Sequence, residues 1–392
     1  MAGARLHFFA TCAKGTEGAL RRELAALRLA SVRGGRGGVS FEGPLEAGMR
    51  ACLHARTAMR VLLELARFPA PDAAALYEGA RTVPWQDWLD VRTTLAVEAT
   101  VSSSTLTHSG YAALKVKDAA VDVLRDRLGA RPDVDPKDPD VRIVLHLARD
   151  EAALSLDLAG APLHRRGYRA AMTDAPLKET LGAAVLLLGG ADPDLPFVDP
   201  MAGSGTLAIE QALRARRIAP GLDQAFEFQR WPSYRGGPQS AWDRMKAEAR
   251  AEALPRAPAP ILARDSHPKA VVAARRNAAA AGVAADVTIE EGDARDLAPI
   301  APAGTLASNP PYGERLGGGR EAPGPAGERV ASRKLGGFYR GLGEMLARHH
   351  GWTVLLLSGN PLLERAIPFR PEIDHRLWNG PLEAHLLRYR IP

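Results

Sequence analysis

Phe197-Val198-Asp199-Pro200-Met201-Ala202-Gly203-Ser204-Gly205-Thr206 runs directly into Leu207, Ala208, Ile209, Ala212 and Leu213. The apolar start reads as a buried strand, the middle as a glycine-rich turn, and the spacing after Thr206 as a helix. Small residues in such a turn let a ligand approach backbone N–H groups at the positive end of the helix dipole. Gly203, Gly205 and Ala208 also fit the pattern G-x-G-x-x-A, a weak signal by itself. What lies downstream narrows the reading.

Ile261-Leu262-Ala263-Arg264-Asp265 is a second strand ending in an acid, followed by a helix over Pro268 to Ala281. In a doubly wound sheet, an acid at that strand end can accept both hydroxyls of a ribose. Asp286 to Glu290 gives a third strand, and Gly292-Asp293-Ala294 follows it. Either Asp alone is more often a helix cap or a loop acid, but their order after successive strands favours ligand contact. A fourth strand, Gly304-Thr305-Leu306-Ala307, leads into Ser308-Asn309-Pro310-Pro311-Tyr312-Gly313. Consecutive prolines donate no backbone hydrogen bond and keep the preceding residue extended, so this turn is stiff and its carbonyls are available to a ligand. Asn309 beside those carbonyls supplies acceptors in the plane of a ring bearing an amino group, and Tyr312 supplies a stacking face.

The pair Asp199–Thr206 (DPMAGSGT) and Ser308–Gly317 (SNPPYGERLG), in this order and spacing, resembles the cofactor and amino-methylation motifs of class I RNA guanine-N2 methyltransferases carrying a THUMP domain. The resemblance is greatest to the N-terminal catalytic half of bacterial 23S rRNA guanine-N2 methyltransferases. It implies an α/β chain: a Rossmann-like methyltransferase domain at 173–392, preceded by an α+β ferredoxin-like domain at 1–68, a THUMP domain at 69–160 and a basic linker at 161–172. S-adenosylmethionine is the implied cofactor, held by Lys178, Asp199, Pro200, Met201, Gly203, Ser204, Gly205, Thr206, Asp265, Ser266, Asp293, Ala294 and Asn309. Asn309, Pro310, Pro311 and Tyr312 are the implied catalytic residues, gripping a flipped guanine. Ala202 departs from the family, where Cys is usual, but a small residue suffices for backbone approach.

The amino-terminal half fits this outline. Leu6, Phe8 and Ala10 alternate as a strand; Leu20, Leu24 and Leu27 are helically spaced behind Thr16; Val39 and Phe41 alternate; Leu45, Met49 and Cys52 mark a helix; and Met59 to Ala66 reads as a strand. Beyond Asp72, strands are expected at Thr94–Val101, Val141–Leu147 and Ala153–Leu158, with a helix over Tyr111–Leu128. Lys115 and Lys117, together with Arg165, Arg166, Tyr168 and Arg169, could grip phosphates and stack a base. A solvated helix face and a charged linker are the plain alternative, which the resemblance outweighs for the arginines more than for the lysines. Trp85 and Trp88 read as packing residues.

Composition is compatible with an RNA partner, 23S rRNA or a large-subunit precursor. The 392 residues are 46% hydrophobic and 24% charged, enough for two or three cored domains, with a net charge of +6. Two distant cysteines, Cys12 and Cys52, offer neither a disulfide framework nor a zinc site, so no metal and a reducing cytoplasm are expected. No apolar run approaches the roughly 18 residues that cross a bilayer. The segment Arg214–Pro260 is too long for a plain connection and reads as a cap beside the active site. Gly313–Arg333 reads as a loop closing over the base, with a helix after it through Phe338, Leu342 and Met345.

Alternatives stay open at this point. The same machinery serves tRNA guanine-N2 methylation, and Asn-Pro-Pro-Tyr also occurs in adenine-N6 enzymes. A non-catalytic RNA-binding assembly factor would leave the intact acids and Asn309 unexplained. A nicotinamide oxidoreductase would leave the proline turn unexplained.

Overall fold

The computed structural model describes residues 5–171, 177–312 and 325–392, with 325–333 as backbone only. The described residues divide into two compact units, one drawn from Met1–Cys12, Leu20–Leu163 and Gly221–Ala251, the other from Ala13–Ala19, His164–Pro220 and Glu252–Pro392.

From Leu6 to Asp157 the chain forms β1 (Leu6–Thr11), α1 (Glu17–Ala26), β2 (Ala30–Gly35), β3 (Gly38–Gly43), α2 (Leu45–His54), β4 (Arg60–Pro69), α3 (Ala73–Arg81), β5 (Leu95–Ser102), α4 (Ser109–Leu128), β6 (Val141–Ala148) and β7 (Glu151–Asp157). Alternation places Phe8, Ala10, Val39, Phe41, Val61 and Leu63 on one buried face. The two expected amino-terminal pieces share one seven-stranded sheet, ordered β2-β3-β1-β4-β7-β6-β5, because β4 pairs antiparallel with β7. β2 is absent from the periodicity reading: it is an edge strand whose residues are mostly exposed, so no apolar alternation marks it. α3 also escaped the pattern; Asp72 caps it by accepting from the Ala75 N–H at 2.8 Å.

Most of the segment read as a cap is built into the amino-terminal unit. Residues 221–251, including α7 (Gly237–Glu252 as a helix), belong to the first unit. Phe228 and Trp242 meet edge-on at 5.1 Å, Phe226 and Trp242 at 5.5 Å, and Trp231 lies edge-on to Trp88 at 5.9 Å. Phe226, Phe228, Trp231 and Trp242 are all buried, so these rings serve the core of that unit. Trp85 and Trp88 are buried too, as their sequence context predicts. Polar pairing completes the attachment: Glu227 accepts from the Arg142 backbone N–H and lies beside the Arg142 guanidinium. Burial, then the neighbouring Asp157, pushes the Glu227 carboxyl up to about 8.

The second unit contains α5 (Glu179–Gly189), β8 (Phe197–Asp199), α6 (Thr206–Ala215), β9 (Ile261–Asp265), α8 (Pro268–Ala280), β10 (Val287–Glu291), β11 (Thr305–Ser308), α9 (Pro325–Ala347), β12 (Thr353–Ser358), α10 (Pro361–Ala366), β13 (Ile373–Asn379) and β14 (Leu382–Arg390). Its sheet runs β10-β9-β8-β11-β12-β14-β13. Strands β10 to β12 in that order are parallel, and β14 and β13 close the edge antiparallel. Leu181, Val185, Ile209 and Leu213 pack on one face; Tyr339, Leu342, Met345 and Trp352 contribute to the cluster on the other. Each fully buried aliphatic side chain contributes about 1.5–3 kcal/mol. Helix α9 begins at Pro325, earlier than the loop expected up to Arg333. The rest of that loop, 313–324, lies outside the described residues, as do residues 172–176.

Candidate active site

The parallel strands β8, β9 and β11 are neighbours, so their carboxyl ends, each carrying a polar group, meet at one rim. Asp199 ends β8 and is 1% exposed. The Ser308 hydroxyl, at the end of β11, donates to its Oδ1 at 2.8 Å, and the Met201 N–H donates to the same oxygen at 3.2 Å. This ties the glycine turn to the proline turn. Burial pushes the Asp199 carboxyl up to about 7; the Ser308 and Met201 bonds oppose that rise, and nearby Asp265 adds to it.

That shift predicts a pH dependence with a definite sign. Between the ordinary carboxyl value near 4 and about 7, folded Asp199 holds a proton that the unfolded chain has released, so its contribution to stability falls as pH rises. Asp199→Asn is expected to gain stability relative to wild type on going from about pH 5 to about pH 8. Urea unfolding of both proteins at the two pH values checks this; an advantage that shrinks with rising pH rejects it.

Asp265 ends β9 and accepts from the Gly203 N–H at 2.8 Å through one oxygen and from the His267 N–H at 2.9 Å through the other. Each oxygen keeps a second lone pair for a ligand hydroxyl. Gly203 and Gly205 have φ of +54° and +85°, which only glycine adopts without strain. A Cβ on Gly205 would meet Ala274 at 3.1 Å, whereas one on Gly203 would meet nothing within 4 Å. Gly205 therefore serves helix packing, and Gly203 faces open space above the turn. Pro200 and Ser204 are buried within this turn, Met201 is half-buried, and Thr206 begins α6. Open space over the turn with an acid on the adjacent strand end fits a nucleoside-bearing cofactor.

Asp293 follows β10 and is engaged by its neighbour: its Oδ1 accepts from the Arg295 N–H at 2.8 Å, and the guanidinium pairs with the carboxylate at 2.5 Å. Those Arg295 bonds hold its carboxyl below the usual range despite partial burial. Ala294 is buried and Ser266 is exposed beside Asp265. Lys178 is exposed at the residue preceding α5, with no capping bond from its side chain.

The proline turn departs from β11 as expected. The Tyr312 hydroxyl donates to Asn309 Oδ1 at 2.6 Å. The polar atom assigned to a substrate amine is thus aligned by the ring assigned to stacking.

The family model described as "RMKL-like, methyltransferase domain" matches residues 166–386. The chain belongs to the RMKL-like methyltransferase family. Two further models, the THUMP domain and the RlmL ferredoxin-like domain, match residues 70–157 and 7–62. Together they give this RMKL-like chain ferredoxin-like, THUMP and Rossmann-like methyltransferase parts, the last on the sheet described above. The protein named ribosomal RNA large subunit methyltransferase K/L of Syntrophotalea carbinolica is 43% identical across 99% of the chain, and its namesake in Methylococcus capsulatus is 41% identical across 98%. The chain spans about half the length of these relatives, 54% and 51% respectively. Among solved structures, SMU.472, described as "a putative methyltransferase complexed with SAH", superposes with a TM-score of 0.89 at 29% identity, covering 100% of this chain and 99% of that one. A "predicted N6-adenine-specific DNA methylase" from Listeria monocytogenes gives 0.86 at 29% identity, covering 99% and 97%.

Within this RMKL-like domain the basic cluster needs correction. Arg166 Nε donates to Glu210 Oε1 at 3.1 Å, and the Tyr168 hydroxyl donates to the same oxygen at 3.0 Å. The side chains of Arg166 and Glu210 are 3% and 0% exposed. Arg169 donates to Glu179 at 2.9 Å and to the Leu177 carbonyl at 2.9 Å. These three residues fasten the segment to α6 and α5: the Arg166 side chain and the Tyr168 ring are buried and so offer neither a phosphate contact nor a stacking face, and Arg169, 18% exposed at its side chain, is committed to Glu179 and the Leu177 carbonyl. Arg165 alone of the cluster is exposed. In α4, Lys115 and Lys117 are half-buried; Lys115 lies 5.5 Å from the Tyr111 ring and Lys117 pairs with Asp118 at 2.8 Å.

Several positioning groups carried no motif. Asn277, 1% exposed, donates to the Ser204 carbonyl at 2.9 Å and exchanges two bonds with the Ala171 backbone. A lone polar residue on the alanine stripe of α8 is the only signal that could have marked it.

Proposed function

We propose that this chain transfers a methyl group from S-adenosylmethionine to the exocyclic N2 of a guanine in large-subunit ribosomal RNA, 23S in bacteria. The observation that carries the reading is the Asn309 acceptor on the proline turn, joined through Ser308 to Asp199 of the cofactor turn. The names of the half-matching relatives support the RNA class, and the SAH-complexed neighbour supports the cofactor. Asp265 would hold the ribose hydroxyls, Asp293 the adenine amino group, and the backbone of 203–205 the remainder.

S-adenosylmethionine, when bound, supplies a methyl on a sulfonium whose sulfur departs with the bonding electrons as a neutral thioether. The chain's own task is to aim a weakly nucleophilic aromatic amine. Asn309 Oδ1 and the Pro310 carbonyl would accept the two N2 hydrogens, directing the nitrogen lone pair out of the ring plane toward the methyl. Tyr312 would stack on the flipped base. The methylated nitrogen becomes acidic and releases its proton to solvent without a dedicated base.

The adenine-N6 reading has one observation in its favour, the name of the Listeria neighbour. The pocket chemistry serves either amine, so the product decides. Labelled methyl transfer to unmodified 23S rRNA, 16S rRNA and tRNA, each digested to nucleosides, is expected to yield N2-methylguanosine in 23S rRNA. The same nucleoside in tRNA overturns the substrate, N6-methyladenosine overturns the base, and no transfer to RNA or precursor particles overturns the activity.

A further inference from the structure

Every carbonyl of the proline turn must either face the substrate or be satisfied elsewhere, since a buried unpaired acceptor is costly. The Tyr339 hydroxyl, on α9, donates to the Pro311 carbonyl at 2.5 Å. Asn360, between β12 and α10, donates through Nδ2 to the Tyr312 carbonyl at 3.0 Å. Its Oδ1 meanwhile accepts from the Leu362 N–H at 2.9 Å, capping α10. A carbonyl only accepts and an N–H only donates, so these two partners leave the Asn360 amide a single orientation. Between them lies Gly359, where a Cβ would stand 2.8 Å from the Tyr312 ring: the ring rests on bare backbone. Among the described residues no protein group donates to the Pro310 carbonyl.

We infer that Tyr339 and Asn360 are positioning residues for the methyl-accepting base, occupying the carbonyls of Pro311 and Tyr312 so that the Pro310 carbonyl is the one presented beside Asn309. The inference rests on the amino-methylation reading above. Tyr339 is fully buried in the core cluster that also contains Leu335, Leu342 and Leu356, which makes its hydroxyl a rigid anchor. The anchor on the other side is a helix cap. Both hold the turn from outside the substrate site, so their removal should displace the acceptors without removing them.

Asn360→Asp separates the two roles of this side chain, because aspartate caps a helix as well as asparagine but cannot donate to Tyr312. Initial rates are measured with the RNA identified above and saturating S-adenosylmethionine, and normalised to SAH-binding sites counted by calorimetry. Asn360→Asp is expected to lower kcat by about 10²-fold with SAH affinity and thermal midpoint near wild type, and Tyr339→Phe to lower it by about tenfold. Wild-type kcat per SAH-binding site in either variant overturns the inference for that residue. If Asn360→Asp does not fold, Tyr339→Phe decides alone. Failure of the underlying reading is distinguishable, since wild-type protein would then methylate no amine in any RNA.

Discussion

Asn309→Ala is expected to lower kcat for methyl transfer by about 10²- to 10³-fold, the loss typical of one preorganised polar contact made to a developing charge. The Tyr312 hydroxyl loses its 2.6 Å acceptor at the same time, so the ring loses a restraint as well as the substrate its partner. The Pro310 carbonyl alone cannot fix the amine, because one acceptor leaves rotation about the exocyclic C–N bond unopposed by a second contact. Single-turnover transfer with saturating labelled cofactor measures the step directly. Near-normal turnover in this variant removes Asn309 from the mechanism.

Glu210→Ala is expected to cost about 2–3 kcal/mol of stability, because the buried Arg166 guanidinium and the Tyr168 hydroxyl both lose the carboxylate oxygen they share. Glu210 is 0% and Arg166 3% exposed at the side chain, and the Tyr168 hydroxyl shares the same carboxylate oxygen. Against the roughly 5–15 kcal/mol that holds a typical domain, this is a large fraction. Arg166→Ala should behave alike, losing stability while the folded fraction keeps its RNA affinity and its salt dependence. An RNA-gripping Arg166 would do the reverse, with weaker binding, a shallower salt slope and an unchanged denaturation midpoint. Chemical unfolding and RNA titration at two salt concentrations separate the outcomes.

Much of the fold is legible because its signals are local. The Phe197–Thr206 run combines a short buried strand, a turn that only small residues can make and a helix stripe, all within adjacent residues. Asp265, Asp293 and Asn309 could be placed by order alone, since a parallel sheet brings successive strand ends to one rim. β2 carries little apolar contrast, and periodicity cannot find an element whose exposed face is most of it. In the aromatic insertion, Phe226, Phe228 and Trp242 announce that they will be buried, but not which core receives them.

The sequence by itself determined the family, the strand–turn–helix that carries the cofactor turn, and the acceptor turn at Asn309, because backbone restriction by glycine and proline acts within a few residues. The tertiary structure alone decided the partners. It spends Arg166, Tyr168 and Arg169 on Glu210 and Glu179, joins Asp199 to Ser308, and braces the proline turn with Tyr339 and Asn360. Burial and pairing depend on residues far apart in the chain, so a charge that looks available in sequence can already be neutralised in the fold.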